Sequence, residues 1–302
     1  MTRRLAQQAL YLYPLAFRRR YGDEMRALLD QSPTRAVTVL DLVRGALVAH
    51  LRPRGDLAEL VAPADRVRAS ASGVLFCWVL LSIAGFGFYK STEDAPFGAA
   101  GHAHPLLRAA HLAIQGVALV GSGAVVLGAL PLIVVALAEA RRRPALRRLV
   151  SLPPLAVLVF AALTGVLVVV ANSNRPGSPS TVGGAVFVAW GVIGVACAAV
   201  CVIAARAALF AVPLSRPKLL TAYACAATVT VAMAVIALAT LLYAIALPAD
   251  APRLADLYDG PFQIVTTTIS LAAQVVVMAI AVALASTTTR RGWRAAGALR
   301  AS

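Results

Sequence analysis

The sequence predicts an all-α membrane protein, a polytopic bundle of six transmembrane helices preceded by an amino-terminal cytoplasmic helical hairpin. Of the 302 residues, 60% are hydrophobic and only 14% are charged, against about a quarter charged in an ordinary soluble domain. Six apolar runs approach or exceed the roughly 20 residues that a helix needs to cross the hydrocarbon core of a bilayer. The densest block of positive charge, RRRPALRR at 141–148, lies between two of these runs.

The distribution of polar residues and prolines divides the chain into four segments. These are the cytoplasmic hairpin 1–54, a linker or interfacial segment 55–69, the transmembrane domain 70–286 and a basic cytoplasmic tail 287–302. Within the third segment the apolar runs predict spans at 70–89, 110–137, 152–171, 184–209, 219–247 and 263–286.

The positive charges predict the orientation, because loops rich in Arg and Lys remain on the cytoplasmic side. With 141–148 inside, 24 of the 28 basic residues and eight of the 13 acidic residues are cytoplasmic, a balance of +16 inside and −1 outside. Both termini are then cytoplasmic. The inner face should attract anionic lipid headgroups. We expect no nucleic-acid partner, since no binding motif accompanies the charge.

The hairpin contains a stripe of aromatic residues, since Tyr13, Phe17 and Tyr21 recur every four residues and share one helix face. A segment of about 50 residues buries too little surface to be stable alone, so we expect it to rest on the membrane, on the other cytoplasmic loops or on a protein partner. The stripe and its polar neighbours are the candidate docking residues: Tyr13, Phe17, Arg18, Arg20, Tyr21 and Glu24. The alternative is that the stripe serves internal packing.

The same segment carries a resemblance. The motif YPxxFRxRYGxE at 13–24 resembles the amino-terminal motif of a family of uncharacterised actinobacterial six-span membrane proteins, and it is similar to the prefix segment of some bacterial ABC-type permeases. The later pieces CW at 77–78, TEDxPF at 92–97 and HPL at 104–106 also resemble that family. The resemblance implies a multi-pass protein of the bacterial cytoplasmic (inner) membrane and implies no particular activity.

Catalytic signatures are missing from the sequence. There is no HExxH, GxSxG, Walker or zinc-finger spacing, and no predicted span has an Asp, Glu, Lys or Arg at its centre, where pumps and intramembrane enzymes usually keep ionisable groups. We therefore predict neither an enzyme nor a resident cofactor. The polar residues within the spans are Gln115, Gln274 and a group of hydroxyls at 266–270, which we expect to bond to helix backbones or neighbouring helices.

The first predicted outer loop, 90–109, contains the candidate metal ligands Glu93, Asp94, His102 and His104. Imidazole and carboxylate groups suit zinc or copper, and an extended His-x-His segment can present both rings to one ion. The alternative is a solvated loop whose acidic pair is neutralised by basic neighbours.

The four cysteines, Cys77, Cys197, Cys201 and Cys225, all lie in apolar runs. We expect free thiols that pack between helices, because the four-residue spacing of Cys197 and Cys201 has no second pair of ligands to complete a metal site.

Glycines are closely spaced in the second and fourth spans. Gly121, Gly123 and Gly128 lie in the second, and Gly191 and Gly194 lie in the fourth. Such small residues predict close approach of helices.

These observations favour a docking or regulatory membrane component that acts through its cytoplasmic hairpin. The alternative is a transporter or permease component for a small neutral or apolar substrate, which needs no charge in the membrane. A metal-responsive sensor depends on the first outer loop alone.

Overall fold

The computed structural model describes residues 6–7, 9–13, 15–31, 36–51, 62–173, 181–259 and 265–301. The chain forms two compact units, Met1–Arg66 and Val67–Ser302. Their boundary falls within the predicted linker 55–69, of which residues 55–61 lie outside the described residues.

The amino-terminal unit contains a short 3-10 helix, Leu10–Leu12, and two α-helices, α1 (Leu15–Gln31) and α2 (Ala36–Leu51). A small apolar core joins them, formed by Ala6, Leu10, Tyr13, Leu29 and Ala46. Gly45 of α2 makes room for the largest of these side chains, since a Cβ there would meet the Tyr13 hydroxyl and lie 3.4 Å from Cζ of the ring. The unit therefore has a core of its own.

The second unit is built from long helices, so the predicted all-α membrane bundle is confirmed. Its helices are α3 (Pro63–Thr92, which begins in the first unit), α4 (Ala95–Ala103), α5 (Pro105–Ala140), α6 (Pro144–Ser173), α7 (Thr181–Ala211), α8 (Arg216–Asp250), α9 (Pro252–Ala255) and α10 (Thr267–Ala301). Among the described residues, six helices are long and apolar enough to cross a membrane: α3, α5, α6, α7, α8 and α10. A two-residue antiparallel strand pair, β1 (Tyr258–Asp259) with β2 (Val265–Thr266), precedes α10.

The last helix differs from its predicted bounds, because it continues through the segment expected to be a basic tail. Four small or apolar residues of that segment are buried: Gly292, Ala295, Ala296 and Leu299. Their steps of three and four residues place them on one helix face. The arginines of this segment obscured that apolar stripe when charge alone was considered.

The core of the second unit lies among α3, α5, α8 and α10. Its largest fully buried side chains include Phe88, Leu107, Met233, Leu271 and Met278. Half of the most apolar stretch of α8 is buried inside the protein, whereas only 6% of that of α6 is buried. The α6 helix therefore presents most of its surface outward, as expected of a helix in contact with lipid.

Helices α6 and α7 pack against each other through an aromatic contact. The rings of Phe160 and Trp190 have centroids 5.4 Å apart, and Trp190 Nε1 donates a hydrogen bond of 2.9 Å to Thr164 Oγ1. A Cβ at Gly194 would lie 2.8 Å from the Phe160 ring, whereas one at Gly191 would meet nothing within 4 Å. Of this glycine pair, only Gly194 makes the predicted close approach.

The three glycines of α5 also differ in whether they make a close contact with a neighbouring helix. A Cβ at Gly121 would overlap the Trp78 indole of α3, and one at Gly128 would lie 2.8 Å from Cβ of Cys225 on α8. A Cβ at Gly123 would meet nothing within 4 Å. Gly121 and Gly128 therefore permit the packing of α5 against α3 and α8.

Hydroxyl groups fasten α10 at the end of the bundle where α3, α6 and α8 begin, which we call the basic end. Ser70 Oγ donates to the Thr288 carbonyl at 2.8 Å and Tyr223 Oη donates to the Thr289 carbonyl at 2.8 Å. Thr230 and Thr289 share a further hydrogen bond of 2.8 Å. These bonds place α10 against both α3 and α8 and support its continuation as a helix.

Candidate functional site

The candidate metal ligands of the loop 90–109 are not brought together as a ligand set. Glu93 Oε1 forms an ion pair of 2.6 Å with Lys90 Nζ. His102 lies within α4 and is exposed, whereas His104 ends that helix in an extended conformation, with Nδ1 3.8 Å from Asp250 Oδ1. No group of three or more His, Cys, Asp or Glu residues in the described part of the chain could hold a metal ion.

The reason is local structure. An extended His-x-His segment would point both rings to one side, but the helix α4 forms over 95–103, includes His102 and buries Phe97 near its start. Asp94 occupies the N-cap position, where its side chain forms no capping hydrogen bond and its carbonyl accepts from the Phe97 amide at 3.0 Å. Apolar packing therefore determines the conformation of this loop. The Gly and Ala content of the loop gave no indication of that packing.

The aromatic stripe of the amino-terminal unit runs from the core of that unit toward its surface. Tyr13 is only 7% exposed, Phe17 stacks on it with a centroid separation of 4.9 Å, and Tyr21 lies 4.9 Å beyond Phe17. Burial raises the pKa of the Tyr13 hydroxyl. Tyr13 and Phe17 therefore contribute to internal packing, and a docking role for the stripe remains a prediction that concerns mainly its Tyr21 end.

The charged candidates differ in exposure. Arg20 and Glu24 are exposed, whereas Arg18 is partly buried with its guanidinium 5.6 Å from the centroid of the Tyr11 ring. Burial lowers the pKa of Arg18, and its Nε atom is buried without a hydrogen-bond partner. Arg20 and Glu24 are therefore the exposed charged candidates of the motif.

The polar side chains around Gln274 bond to one another or to backbone carbonyls, but Gln274 Oε1 is buried without a hydrogen-bond partner among the described residues. Gln274 Nε2 of α10 lies 3.1 Å from Ser270 Oγ and 3.3 Å from Ser91 Oγ of α3. Thr267 and Thr268 donate to the carbonyls of Leu257 and Ala255. This arrangement agrees with the expectation that hydroxyls in the spans bond to helix backbones or to neighbouring helices. The residues named here do not form a continuous polar path.

The second unit contains a cavity of about 580 Å³, lined by α3, α5, α6, α7 and α8. Its lining is almost wholly aliphatic, and Arg206 is the one charged residue among the described residues that line it. The lined part of α5 extends from Ala124 to Leu137, which corresponds to about 20 Å at about 1.5 Å per residue. The cavity is therefore long and apolar, and its lining includes Leu149 and Leu214 near the basic end.

One side of the cavity is exposed at the outer surface of the protein. Ile133 and Leu137 line it and are nevertheless 50% and 49% exposed. Their neighbours Leu130 and Val134 are also more than half exposed. A residue that lines the cavity and is half exposed lies at the rim of the cavity. The mouth of the cavity therefore opens onto the apolar outer surface of α5.

Two consecutive prolines of α6 form part of the opposite wall. Pro153 and Pro154 lie inside the helix and line the cavity together with Leu149 and Val150. Proline has no amide hydrogen, so the carbonyls of Leu149 and Val150 lack the donors that an unbroken helix would supply. The Cys201 thiol lies 3.8 Å from the Pro153 carbonyl.

The cysteines are free thiols, as expected. Cys77 is buried in the core, whereas Cys201 of α7 and Cys225 of α8 line the cavity. At these positions the two cysteines line the cavity as small apolar side chains.

The chain matches no protein-family model, no curated protein and no solved structure. The case for a function therefore depends on the two features above, the amino-terminal unit and the apolar cavity. Sequence reasoning anticipated the first and missed the second. The available signal was the run of Ala and Gly on α5, α7 and α8 together with the paired prolines of α6.

Proposed function

We propose that this chain is a multi-pass protein of the bacterial cytoplasmic membrane, with both termini in the cytoplasm, that acts as a docking or regulatory component through its amino-terminal unit. The observation that supports the proposal best is the exposure of large apolar side chains on a unit that already has a core. Tyr11, Leu28, Val37 and Leu40 are each more than 60% exposed. Val37 and Leu40 are three residues apart on α2 and so share a face.

Exposed leucines are ordinary when single, but clustered apolar side chains mark interaction surfaces, and buried aromatic side chains dominate the binding energy of interfaces. The exposed Leu40 and the Tyr21 end of the stripe are therefore our docking residues, and Arg20 and Glu24 are expected to orient the partner. Phe17→Ala is a less direct probe, because Phe17 lies between Tyr13 and Tyr21 and its loss would also disturb the unit.

In-cell photo-crosslinking of the full chain tests the proposal. A photoreactive residue at Leu40 or Tyr21 should give a discrete adduct with a protein, and the same residue at the exposed Gln31 should give much less. Leu40→Ser should reduce the adduct formed from position 21 more than Arg20→Ala does. Adducts with lipid alone, together with equal effects of the two substitutions, would show that the unit is an electrostatic membrane anchor and would contradict docking.

A second candidate is a transporter or permease component for a small neutral or apolar substrate. The cavity supports it, because its volume of about 580 Å³ lies within the range of about 300–1,000 Å³ typical of small-molecule sites. An ATPase gene beside this one would favour transport, and a transcription regulator would favour docking. Substrate uptake by vesicles containing the purified protein would test transport directly.

A further inference from the structure

We propose that the apolar cavity binds a neutral amphiphile, a molecule with a hydrocarbon body and one hydroxyl group, whose hydroxyl donates a hydrogen bond to the Leu149 or Val150 carbonyl beside the paired prolines of α6. The proposal names a ligand class for the site that supports the second candidate function, and it rests on that candidate only for the location of the site. Binding can be measured without transport, so the two can fail separately.

The lining of the cavity favours a hydrocarbon body. Aliphatic side chains line it along about 20 Å of α5. Ser72 carries the one side-chain hydroxyl among the described lining residues, and its Oγ donates to the Ala69 carbonyl at 3.1 Å. A strongly polar solute would lose its hydration in such a site and gain few hydrogen bonds.

Two backbone acceptors in the α6 wall lack their usual donors. In an α-helix the carbonyl of each residue accepts from the amide four residues later, and proline has no amide hydrogen. Pro153 and Pro154 therefore leave the carbonyls of Leu149 and Val150 without that partner. All four residues line the cavity, and residues four apart share a helix face, so the two carbonyls lie on the cavity side of α6.

Neighbouring side chains do not replace the missing amides. Ser151 Oγ donates to the Arg148 carbonyl at 2.9 Å, and the Cys201 thiol lies 3.8 Å from the Pro153 carbonyl. No side chain in the described part of the chain donates to the carbonyl of Leu149 or Val150. An acceptor in apolar surroundings without a donor is unfavourable, so a ligand that brings a donor is favoured over one that does not.

The charges around the cavity indicate that this donor is neutral. No Asp or Glu among the described residues lines the cavity, so an ammonium group would lie in an apolar site without a counter-ion. Asp65, in the first turn of α3, is outside the lining and has a partner of its own. Arg206 lines the cavity but already interacts within the chain, including with the Phe210 ring at 6.0 Å. A hydroxyl supplies a donor without charge.

The position of the mouth identifies the bilayer as the source of the ligand. Ile133 and Leu137 form part of the rim, and the adjacent surface of α5 is exposed and apolar. In a membrane this surface faces lipid tails. A hydrophobic alcohol can therefore enter sideways from the bilayer without passing through water.

The test compares the binding of dodecanol with that of its methyl ether, which has the same chain and an oxygen atom but no donor. Binding to the full chain in nanodiscs is measured by equilibrium dialysis, and empty nanodiscs of the same lipid give the uptake by the bilayer alone. The unmodified protein should bind dodecanol about fivefold more tightly than the ether, the factor expected for one net hydrogen bond.

The double variant Pro153→Ala/Pro154→Ala tests the acceptors, because it restores both amides and leaves the cavity open. Its preference for dodecanol should disappear, whereas its binding of the ether should remain. Pro131→Ala is the matched control and should keep the full preference, since Pro131 also lies inside a helix but not in the cavity lining. A preference that persists in the double variant, or equal binding of alcohol and ether by the unmodified protein, would overturn the proposal.

A second pair of variants tests the location. Ala205→Phe places a ring in the cavity from α7, and Ala196→Phe, at an exposed position of the same helix outside the lining, is its control. Binding of both probes should fall strongly in the first variant and stay unchanged in the second, and equal binding by the two would also overturn the proposal. If Ala205→Phe is not recovered in folded form, Ala129→Phe fills the same cavity from α5. Binding of dodecanol without its uptake by vesicles would support this inference and contradict only the transport candidate.

Discussion

The contact between Gly121 and Trp78 gives the sharpest prediction for the bundle, namely that Gly121→Ala destabilises it while Gly123→Ala does not. An Ala Cβ at position 121 would overlap the Trp78 indole and would lie 2.7 Å from Cζ3. Carbon atoms prefer separations of about 3.5–4.0 Å, so the ring must move by about 1 Å. Trp78 is only 9% exposed and is surrounded by core residues, so it has little room to do so.

The magnitude follows from overpacking. Adding a methyl group to a well-packed core costs about 1–3 kcal/mol. At Gly123 the added Cβ meets no atom within 4 Å, and replacing a helical glycine by alanine gains about 0.5–1 kcal/mol. The two variants lie two residues apart on one helix and carry the same chemical change, so the gain in helix stability cancels and their free energies of unfolding should differ by the overpacking cost of about 1–3 kcal/mol.

Reversible unfolding in mixed micelles, followed by circular dichroism during titration with a denaturing detergent, measures these free energies. The Trp78→Leu background provides the internal check. Removing the indole removes the overlap, so Gly121→Ala should cost much less there, and the coupling between the two positions should be about 1–3 kcal/mol. The reasoning is refuted if Gly121→Ala and Gly123→Ala have the same effect, or if the cost of Gly121→Ala persists in the Trp78→Leu background.

Three further predictions concern orientation, pH and thiols. A reporter fused after Arg143 should read as cytoplasmic and one fused after His102 as external, and inversion of either contradicts the proposed topology. Because burial raises the pKa of Tyr13, its contribution to stability should be intact below the unfolded value of about 10 and lost as pH rises through the folded value; protection of α1 from trypsin should therefore fall at alkaline pH, and Tyr13→Phe should abolish that fall. Replacement of all four cysteines by Ala should leave helicity nearly unchanged, and a loss of folding both in that variant and on metal removal from the unmodified protein would indicate a thiolate site after all.

The six spans could be predicted from the sequence because each depends on a property of its own residues. An apolar run long enough to cross a bilayer forms a helix whatever lies beside it, since backbone groups in lipid must bond internally. The helix ends were less predictable. Hydropathy marks only the part of α10 that lies in the apolar run, whereas its continuation to Ala301 depends on the buried stripe of Gly292 and its neighbours, and so on packing against other elements.

The conformation of the loop 90–109, unlike that of the spans, could not be predicted from its own residues. Its acidic and histidine residues suggested a metal site on the assumption of an extended backbone, and the helix α4 replaced that backbone. The loop forms this helix where Phe97 can be buried. That burial depends on residues outside the loop. Candidate ligands in a short loop are therefore informative only after the conformation of the loop is known.

Small residues give the most instructive comparison, because the same residue type produces both tight contact and empty space. At Gly121 the missing side chain is replaced by the Trp78 indole, so the helices interlock. Along Ala129, Ala136 and Ala205 the neighbouring side chains do not fill the space, and the cavity remains. A single helix sequence cannot distinguish these cases, since the outcome depends on the partner helix. The prolines of α6 add to the effect, because they prevent that helix from offering a regular backbone to the gap. The cavity is thus a property of five helices together, which explains why a chain with so few chemical motifs can still contain a site of defined size and polarity.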